Sequence, residues 1–424
     1  MNVWINQKLI HRSYDILQAS YSSFLLVILS VAVLFYGVLA TEAVDHNITR
    51  MYQVACGGMQ QLHGNRADGA VVERMVILKL GGSSITEKGS LETLNQGMLD
   101  WIASTLSNNT IVCYSTDNEG QYLMIRNRFL IVHGAGSFGH QVAKKYGLKG
   151  GYTAKDENYD EDTTNIEFLM EGLAQTRLSV TKLNWYVVQT LLKHSLPAVG
   201  ISPFAVGLQA HGDPQLFQNL GDLNMEANPM QTLIYVIKSS LQVGLIPVLH
   251  GDAVLYGRQR SGILSGDTLV SQISVRPEWK VSSLRSDGYY IKKDPTFMLD
   301  VVFLTDVDGV YTTDPKVDKN AKLIPLIEVD VDGNIVSTGT DEEGLDTPLC
   351  SSIESSSSSS CSSIHEHDVT GGLRTKLQSA IDIAKTGIPV YILKCGSSDA
   401  TNVLQGQNTL DHGTLIKLQA TAST

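Results

Sequence analysis

Residues able to do chemistry gather where apolar runs give way to small-residue turns. Lys79-Leu80-Gly81-Gly82-Ser83-Ser84 closes one such run. Gly81 and Gly82 would let backbone N–H groups approach an anion closely, with Lys79 supplying a point charge beside them. The segment is not a P-loop, because it lacks G-x-x-x-x-G-K-[ST]. His133-Gly134-Ala135-Gly136-Ser137-Phe138-Gly139-His140 follows a second apolar run and opens a predicted helix reaching Lys144. A helix amino terminus among small residues is an anion site, through its free N–H groups and the helix dipole. His140 would project from the first turn or so, where its imidazole can donate to a phosphate oxygen. The plainer alternative for His133 and His140 is a capped or packed side chain.

Other motifs repeat the pattern. His250-Gly251-Asp252 follows an apolar strand, and Ser265-Gly266-Asp267 follows a predicted hairpin. Each sets a carboxylate beside a glycine, able to orient lysines or amides, or simply to serve a turn. Thr305-Asp306-Val307-Asp308-Gly309-Val310-Tyr311 runs on to Asp314 and Lys316, and Thr370-Gly371-Gly372 precedes a helix with Lys376 about one turn in. Lys88, in a polar loop after Lys79, reads by itself as a surface lysine.

These turns need elements to position them. Short apolar runs at Met75–Leu80, Phe129–Val132, Ala198–Ile201, Leu245–Leu249, Val301–Leu304 and Pro389–Leu393 have the form of buried parallel strands. Amphipathic stretches at Leu91–Leu106, Ile166–Leu192, Met230–Val243 and Gly372–Lys385 alternate with them. The expected fold is α/β, a mainly parallel sheet covered by helices on both faces, with ligands at the carboxyl ends of its strands.

The chain has 424 residues and a net charge of -11, which argues against nonspecific nucleic-acid binding. Focused lysines and amides can still bind an anion on an acidic protein. Five scattered cysteines form no C-x-x-C pair, so neither a disulfide framework nor a zinc site is expected. Residues 1–73 read as a hydrophobic leader plus a polar linker from 42 to 73. Residues 16–41 carry no charge and follow Lys8 and Arg12. They are long enough for a tilted membrane span or anchor, and they also resemble a signal peptide; an over-extended start before Met75 is a third reading. Residues 341–365, with the Ser-rich stretch Ser351–Ser363, read as a disordered insertion.

In order and spacing, Lys-Leu-Gly-Gly-Ser, the Gly-rich His segment, Thr-Asp-Val-Asp-Gly-Val-Tyr and Thr-Gly-Gly-x-x-x-Lys resemble the amino acid kinase superfamily along Met75–Leu418. Within it, Gly-Ser-Phe-Gly-His ending at His140 looks like the isopentenyl phosphate kinases; a fosfomycin-type kinase shares a related segment. The resemblance implies a three-layer αβα sandwich spanning 74–424, with acceptor bound by residues 74–250 and ATP by 251–424. It implies that Lys79, Gly81, Gly82, Ser83, Gly136, Asp306, Tyr311, Asp314, Lys316, Gly372 and Lys376 line the ATP site. Ala135, His140 and Gly251 would hold an acceptor phosphate, Lys88 would stabilise the transition state and Asp267 would organise the lysines. It further implies ATP with Mg²⁺, a small-molecule phosphate substrate, a homodimer and a cytoplasmic enzyme. The usual Gly-Gly-Gly becomes Gly134-Ala135-Gly136 here, and inserts fall near Val112–Arg128 and Arg276–Phe297. This superfamily also supplies catalytically silent nucleotide sensors; retention of Lys79, Lys88, His140 and Lys376 together favours catalysis.

Overall fold

The structure is a computed structural model that describes residues 70–87, 89–115, 122–151, 163–208, 228–256, 260–279, 297–313, 315, 318–338 and 372–419. Nearly all of these form one compact unit, Ala70–Tyr114 with Leu123–Thr424. A second unit, Met1–Gly69 with Ser115–Tyr122, contributes only Ser115 and Tyr122 to the described residues. The leader, most of the linker and the Ser-rich stretch therefore lie outside the described residues, among which no helix is long and apolar enough to cross a membrane.

In chain order the elements are β1 (Ala70–Leu80), α1 (Gly82–Ile85), α2 (Gln96–Asn108), β2 (Ile111–Ser115), β3 (Tyr122–His133), α3 (His140–Lys145), α4 (Thr163–Lys193), β4 (Ala198–Gly200), α5 (Pro229–Gln242) and β5 (Ile246–His250). There follow β6 (Asp252–Val254), β7 (Gly262–Leu264), α6 (Gly266–Ser274), β8 (Phe297–Thr305), β9 (Val310–Tyr311), β10 (Leu323–Ile324), β11 (Leu326–Val329) and β12 (Ile335–Thr338). The chain closes with α7 (Gly372–Ala384), β13 (Val390–Lys394), α8 (Ser398–Gln405) and β14 (Thr414–Leu418). Polar caps start several helices: Asn95 accepts from the Met98 amide, Asn228 from Met230, Ser265 from Thr268 and Ser397 from Ala400.

One large sheet runs β12-β11-β14-β13-β8-β1-β3-β5-β4, with β2 also paired to β3. From β13 to β4 every pairing is parallel. Alternation along β1 sends Met75 and Ile77 to one face and Val76, Leu78 and Leu80 to the other. The first face packs on α5, α6 and α7 through residues such as Ile237, Leu269 and Ile381. The second packs on α2, α4 and α8 through Ile102, Leu183 and Val403. The fold is thus the expected three-layer α/β sandwich. Each fully buried Val, Leu or Ile in its cores contributes about 1.5–3 kcal/mol of hydrophobic stabilisation.

Three boundaries differ from the expectation, each for a physical reason. The linker was expected to reach residue 73, yet β1 begins at Ala70. The charges that look linker-like are paired across strands: Glu73 takes Arg126 at 2.9 Å and Arg128 at 3.1 Å. Arg74 is fully buried, holding Asp300 at 2.5 Å, Asn127, and the carbonyls of Val403 and Leu404 at the end of α8. The insert near Val112–Arg128 is partly sheet, since it supplies β2 and the start of β3. The helix expected from Leu91 begins at Gln96, because Thr86 and Leu94 first form an antiparallel bridge.

Candidate active site

Strand ends converge along one edge of the sheet. Leu80 is in register with His133 on β3 and Leu304 on β8, His133 with His250 on β5, and Thr305 with Lys394 on β13. The turns after Leu80, His133, His250 and Thr305 therefore leave the same edge, at the carboxyl ends of parallel strands, as expected for a ligand site, whereas Ser265-Gly266-Asp267 follows β7 of a separate antiparallel pair.

Alternation along β1 also aims Lys79. It shares a face with Met75 and Ile77, so it points toward α6 and α7. There Asp267, in the first turn of α6, lies 2.6 Å from the Lys79 ammonium and 3.5 Å from that of Lys376 on α7. All three are at least nine-tenths buried. Burial draws the Lys79 ammonium down to about 8, with Asp267 opposing the shift. Burial pushes the Asp267 carboxyl upward, but Lys376 and Lys79 overcome that and hold it at about 2. The cluster is two lysines locked by one carboxylate, which an incoming polyanion can reinforce.

The two glycine turns touch. A Cβ on Gly82 would fall 2.3 Å from the Gly136 nitrogen, so no larger residue fits there. Gly136 has φ +52, and a Cβ there would meet Thr86 Oγ1 at 2.2 Å. Thr86 Oγ1 stitches the turns, donating to the Gly82 carbonyl at 2.8 Å and accepting from the Ser137 amide at 3.0 Å. Ala135 has φ -74 and ψ -32, an ordinary helical conformation, which explains why alanine is accommodated between the glycines. Ser83 Oγ donates to Asp306 at 3.0 Å, tying the first turn to the end of β8.

On the β3–β5 side the environment is neutral. His133 and His250 are buried, their ring centroids 5.7 Å apart. Burial, reinforced by His250, holds His133 at about 3, and burial also lowers His250. His133 is thus the packed side chain that the plainer alternative allowed, whereas His140 opens α3 and is partly exposed. Gly251 donates its amide to the His133 carbonyl at 2.8 Å. Asp252 does not orient a lysine as Asp267 does; it pairs with Arg177 of α4 at 3.3 Å, and Arg177 also donates to Ser202 and stacks on Phe204.

Gly372 begins α7, one turn before Lys376. Tyr311, on β9, donates to Asp308 at 2.9 Å, and Lys394 lies 3.3 Å from the same carboxylate. Lys88, Asp314 and Lys316 lie outside the described residues. The segment flanking Lys88 is nonetheless tied down: Glu92 donates its amide to the Ser137 carbonyl, while its carboxylate accepts from Ser179 at 2.5 Å and from Lys182 at 2.6 Å on α4. Thr86, Glu92, Arg177 and Asn184 all act at this edge and escaped sequence reasoning. None carries a local pattern that separates it from a solvated loop or helix face. Among the described residues, no group of three or more His, Cys, Asp or Glu side chains gathers to hold a metal ion.

The profile of the amino acid kinase family matches residues 74–280 and 299–394. The chain is 30% identical to the isopentenyl phosphate kinase of Arabidopsis thaliana over 355 residues, covering 78% of this chain and 90% of that protein. It is 31% identical to the isopentenyl phosphate kinase of Methanothermobacter thermautotrophicus over 329 residues, covering 75% and 90%. A solved structure described as "X-ray structures of isopentenyl phosphate kinase" matches with a TM-score of 0.52 at 26% identity, covering 81% of this chain and all of that one.

Proposed function

Since the chain belongs to the amino acid kinase family, alongside its isopentenyl phosphate kinases, we propose that it transfers the γ-phosphoryl group of ATP to isopentenyl phosphate, giving isopentenyl diphosphate and ADP. The observation that carries this reading is the buried Lys79–Asp267–Lys376 cluster set against interlocked glycine turns at the strand ends. Such a site suits the meeting of two polyanions. A phosphate monoester is already ionised near neutral pH, so its oxygen needs no general base. It attacks the γ-phosphorus while the bond to the β–γ bridging oxygen breaks and ADP departs. Positioning and electrostatic neutralisation carry the catalysis.

In this reading Lys79, Lys376 and the amides of Gly82 and Gly136 hold the ATP phosphates; the Gly81 amide, expected to join them, instead donates to the Leu304 carbonyl at 2.8 Å and ties β1 to β8. Ser83, Asp306, Tyr311, Asp314, Lys316 and Gly372 line the nucleotide side. His140 and Ala135 hold the acceptor phosphate, Gly251 borders it with its amide already donated to the His133 carbonyl, Lys88 meets the charge that develops in transfer, and Asp267 keeps the lysines in place. Residues 74–250 then serve mainly the acceptor and 251–424 mainly the nucleotide. Mg²⁺ would be carried on the nucleotide phosphates rather than in a cage of protein carboxylates, and would supply neutralisation of phosphate charge beside Lys79 and Lys376. Dependence on ATP requires a compartment that supplies it, and the cytoplasm is the one we propose.

A coupled assay of the full chain with isopentenyl phosphate, glutamate, uridylate and fosfomycin tests the substrate. Turnover with isopentenyl phosphate is expected; turnover only with one of the others overturns the reading.

The homodimer has a candidate face on α4. Leu178, Trp185 and Leu192 recur every seven residues and are 72%, 57% and 54% exposed. That spacing makes one continuous apolar stripe, self-complementary when two copies pack antiparallel. Sedimentation equilibrium should return twice the chain mass, and a monomer at micromolar concentration would remove this part of the proposal.

A further inference from the structure

Resting on that reading of the acceptor side, we propose that His133 is a positioning residue for acceptor binding: held in one neutral tautomer by Asn184, it clamps the Gly134 carbonyl and thereby aims the Ala135 amide at the acceptor phosphate.

The tautomer follows from the partners. Asn184 Nδ2, on α4, lies 3.2 Å from the Val248 carbonyl, which can only accept, so the amide nitrogen faces β5. The same nitrogen lies 3.1 Å from His133 Nε2. A side-chain amide nitrogen only donates, so Nε2 accepts and the ring hydrogen of a neutral imidazole sits on Nδ1. Nδ1 lies 3.0 Å from the Gly134 carbonyl oxygen and donates to it. A trans peptide points its N–H opposite its C=O, so fixing the Gly134 carbonyl on the ring turns the Ala135 N–H away from the ring.

The surroundings keep this arrangement. A charged imidazole would put an N–H on Nε2 against the Asn184 donor, and burial disfavours the charge as well. The groups that face the ring pair are Lys79 behind His133, and Asp252 with Arg177 beside His250. His250 repeats the geometry one strand over, its Nδ1 3.1 Å from the Gly251 carbonyl. The Gly251 amide in turn donates to the His133 carbonyl, so both histidines and both glycine peptides interlock. Asn184 is seated against Gly200, where a Cβ would come within 2.4 Å of its Oδ1.

Three variants of the full chain separate positioning from packing. His133→Phe keeps a ring without a donor, His133→Asn keeps a donor near the place of Nδ1, and Asn184→Asp supplies an acceptor that moves the ring hydrogen to Nε2. His133→Phe and Asn184→Asp should each raise KM for isopentenyl phosphate about tenfold, the worth of one good hydrogen bond. KM for ATP should stay within about twofold, and His133→Asn should recover most of the loss. An unchanged acceptor KM in His133→Phe, an equal rise in both KM values, or no recovery in His133→Asn overturns the proposal. Nitrogen-15 NMR of the imidazoles reads the tautomer without turnover. A His133 hydrogen on Nε2 in the unmodified chain refutes the clamp, whereas an Nδ1 hydrogen in a chain inactive on isopentenyl phosphate leaves the clamp standing and refutes the substrate instead.

Discussion

On one side of the glycine turns Asp267 sits between two lysines, and on the other His133 and His250 stand ring to ring without net charge. Both clusters are buried, and both anchor a turn that ends a parallel strand. They differ in what holds them. The ionic side depends on mutual neutralisation, so each member loses its counterpart if one is removed. The histidine side depends on directed hydrogen bonds to backbone carbonyls, so shape rather than charge is fixed there. A cleft for two polyanions gains from this division: fixed positive charge where phosphoryl oxygens change charge, and hydrogen-bonded turns where an acceptor must be aimed.

The largest break in that contrast comes from Asp267→Asn. It leaves Lys79 and Lys376 buried side by side without a carboxylate, and breaking a buried pair in this way costs about 3–5 kcal/mol. Thermal melting should show that loss, and turnover should fall by about 10²–10³. Adding Lys79→Met should restore part of the melting temperature but none of the activity. A double variant whose loss equals the sum of the losses in Asp267→Asn and Lys79→Met alone would mean that the two groups are uncoupled.

A smaller effect sharpens the contrast through pH. Lys79 titrates at about 8, so it is charged below that pH and neutral above it. The value of kcat/KM for ATP, which reports the free enzyme, should fall by about tenfold per pH unit above pH 8. His133 is neutral from about pH 4 upward, given its value of about 3, so its own titration should leave no limb between pH 5 and 8. A flat ATP profile to pH 10 would place the Lys79 charge outside nucleotide binding.

How much of this was legible in the sequence depended on range. Six apolar runs between Met75 and Leu393 announced the strands of the parallel part, and Lys79, Asp267 and Lys376 stood in motifs, so that part of the sheet and the ionic cluster were readable, whereas β2, β11, β12 and β14 were not. What escaped was paired across distance. Glu73 looked like linker because its partners lie on β3, and nothing beside Arg74 revealed its partners on β3, β8 and α8. Asn184 and Arg177 sit on a long amphipathic helix whose polar residues resemble a solvated face; only the strands beneath reveal which of them turn inward. His133 and His140 bracket one glycine segment, and sequence reasoning assigned a role only to His140 while leaving a packed side chain open for both. Register separates them, because His133 closes β3 inside the sheet while His140 opens α3 beyond it.

Arg74 also sets a clock for the newborn protein. It lies near the start of the folded region, yet two of its partners, Val403 and Leu404, emerge about 330 residues later. At translation speeds of about 5–20 residues per second, the first strand waits roughly 15–70 s before that contact can close. For about the first two thirds of that interval, until Thr305 has been made, β1 also lacks β8, its neighbour on one side. β1, the first strand among the described residues, thus gains its last contacts only after β13 has been made.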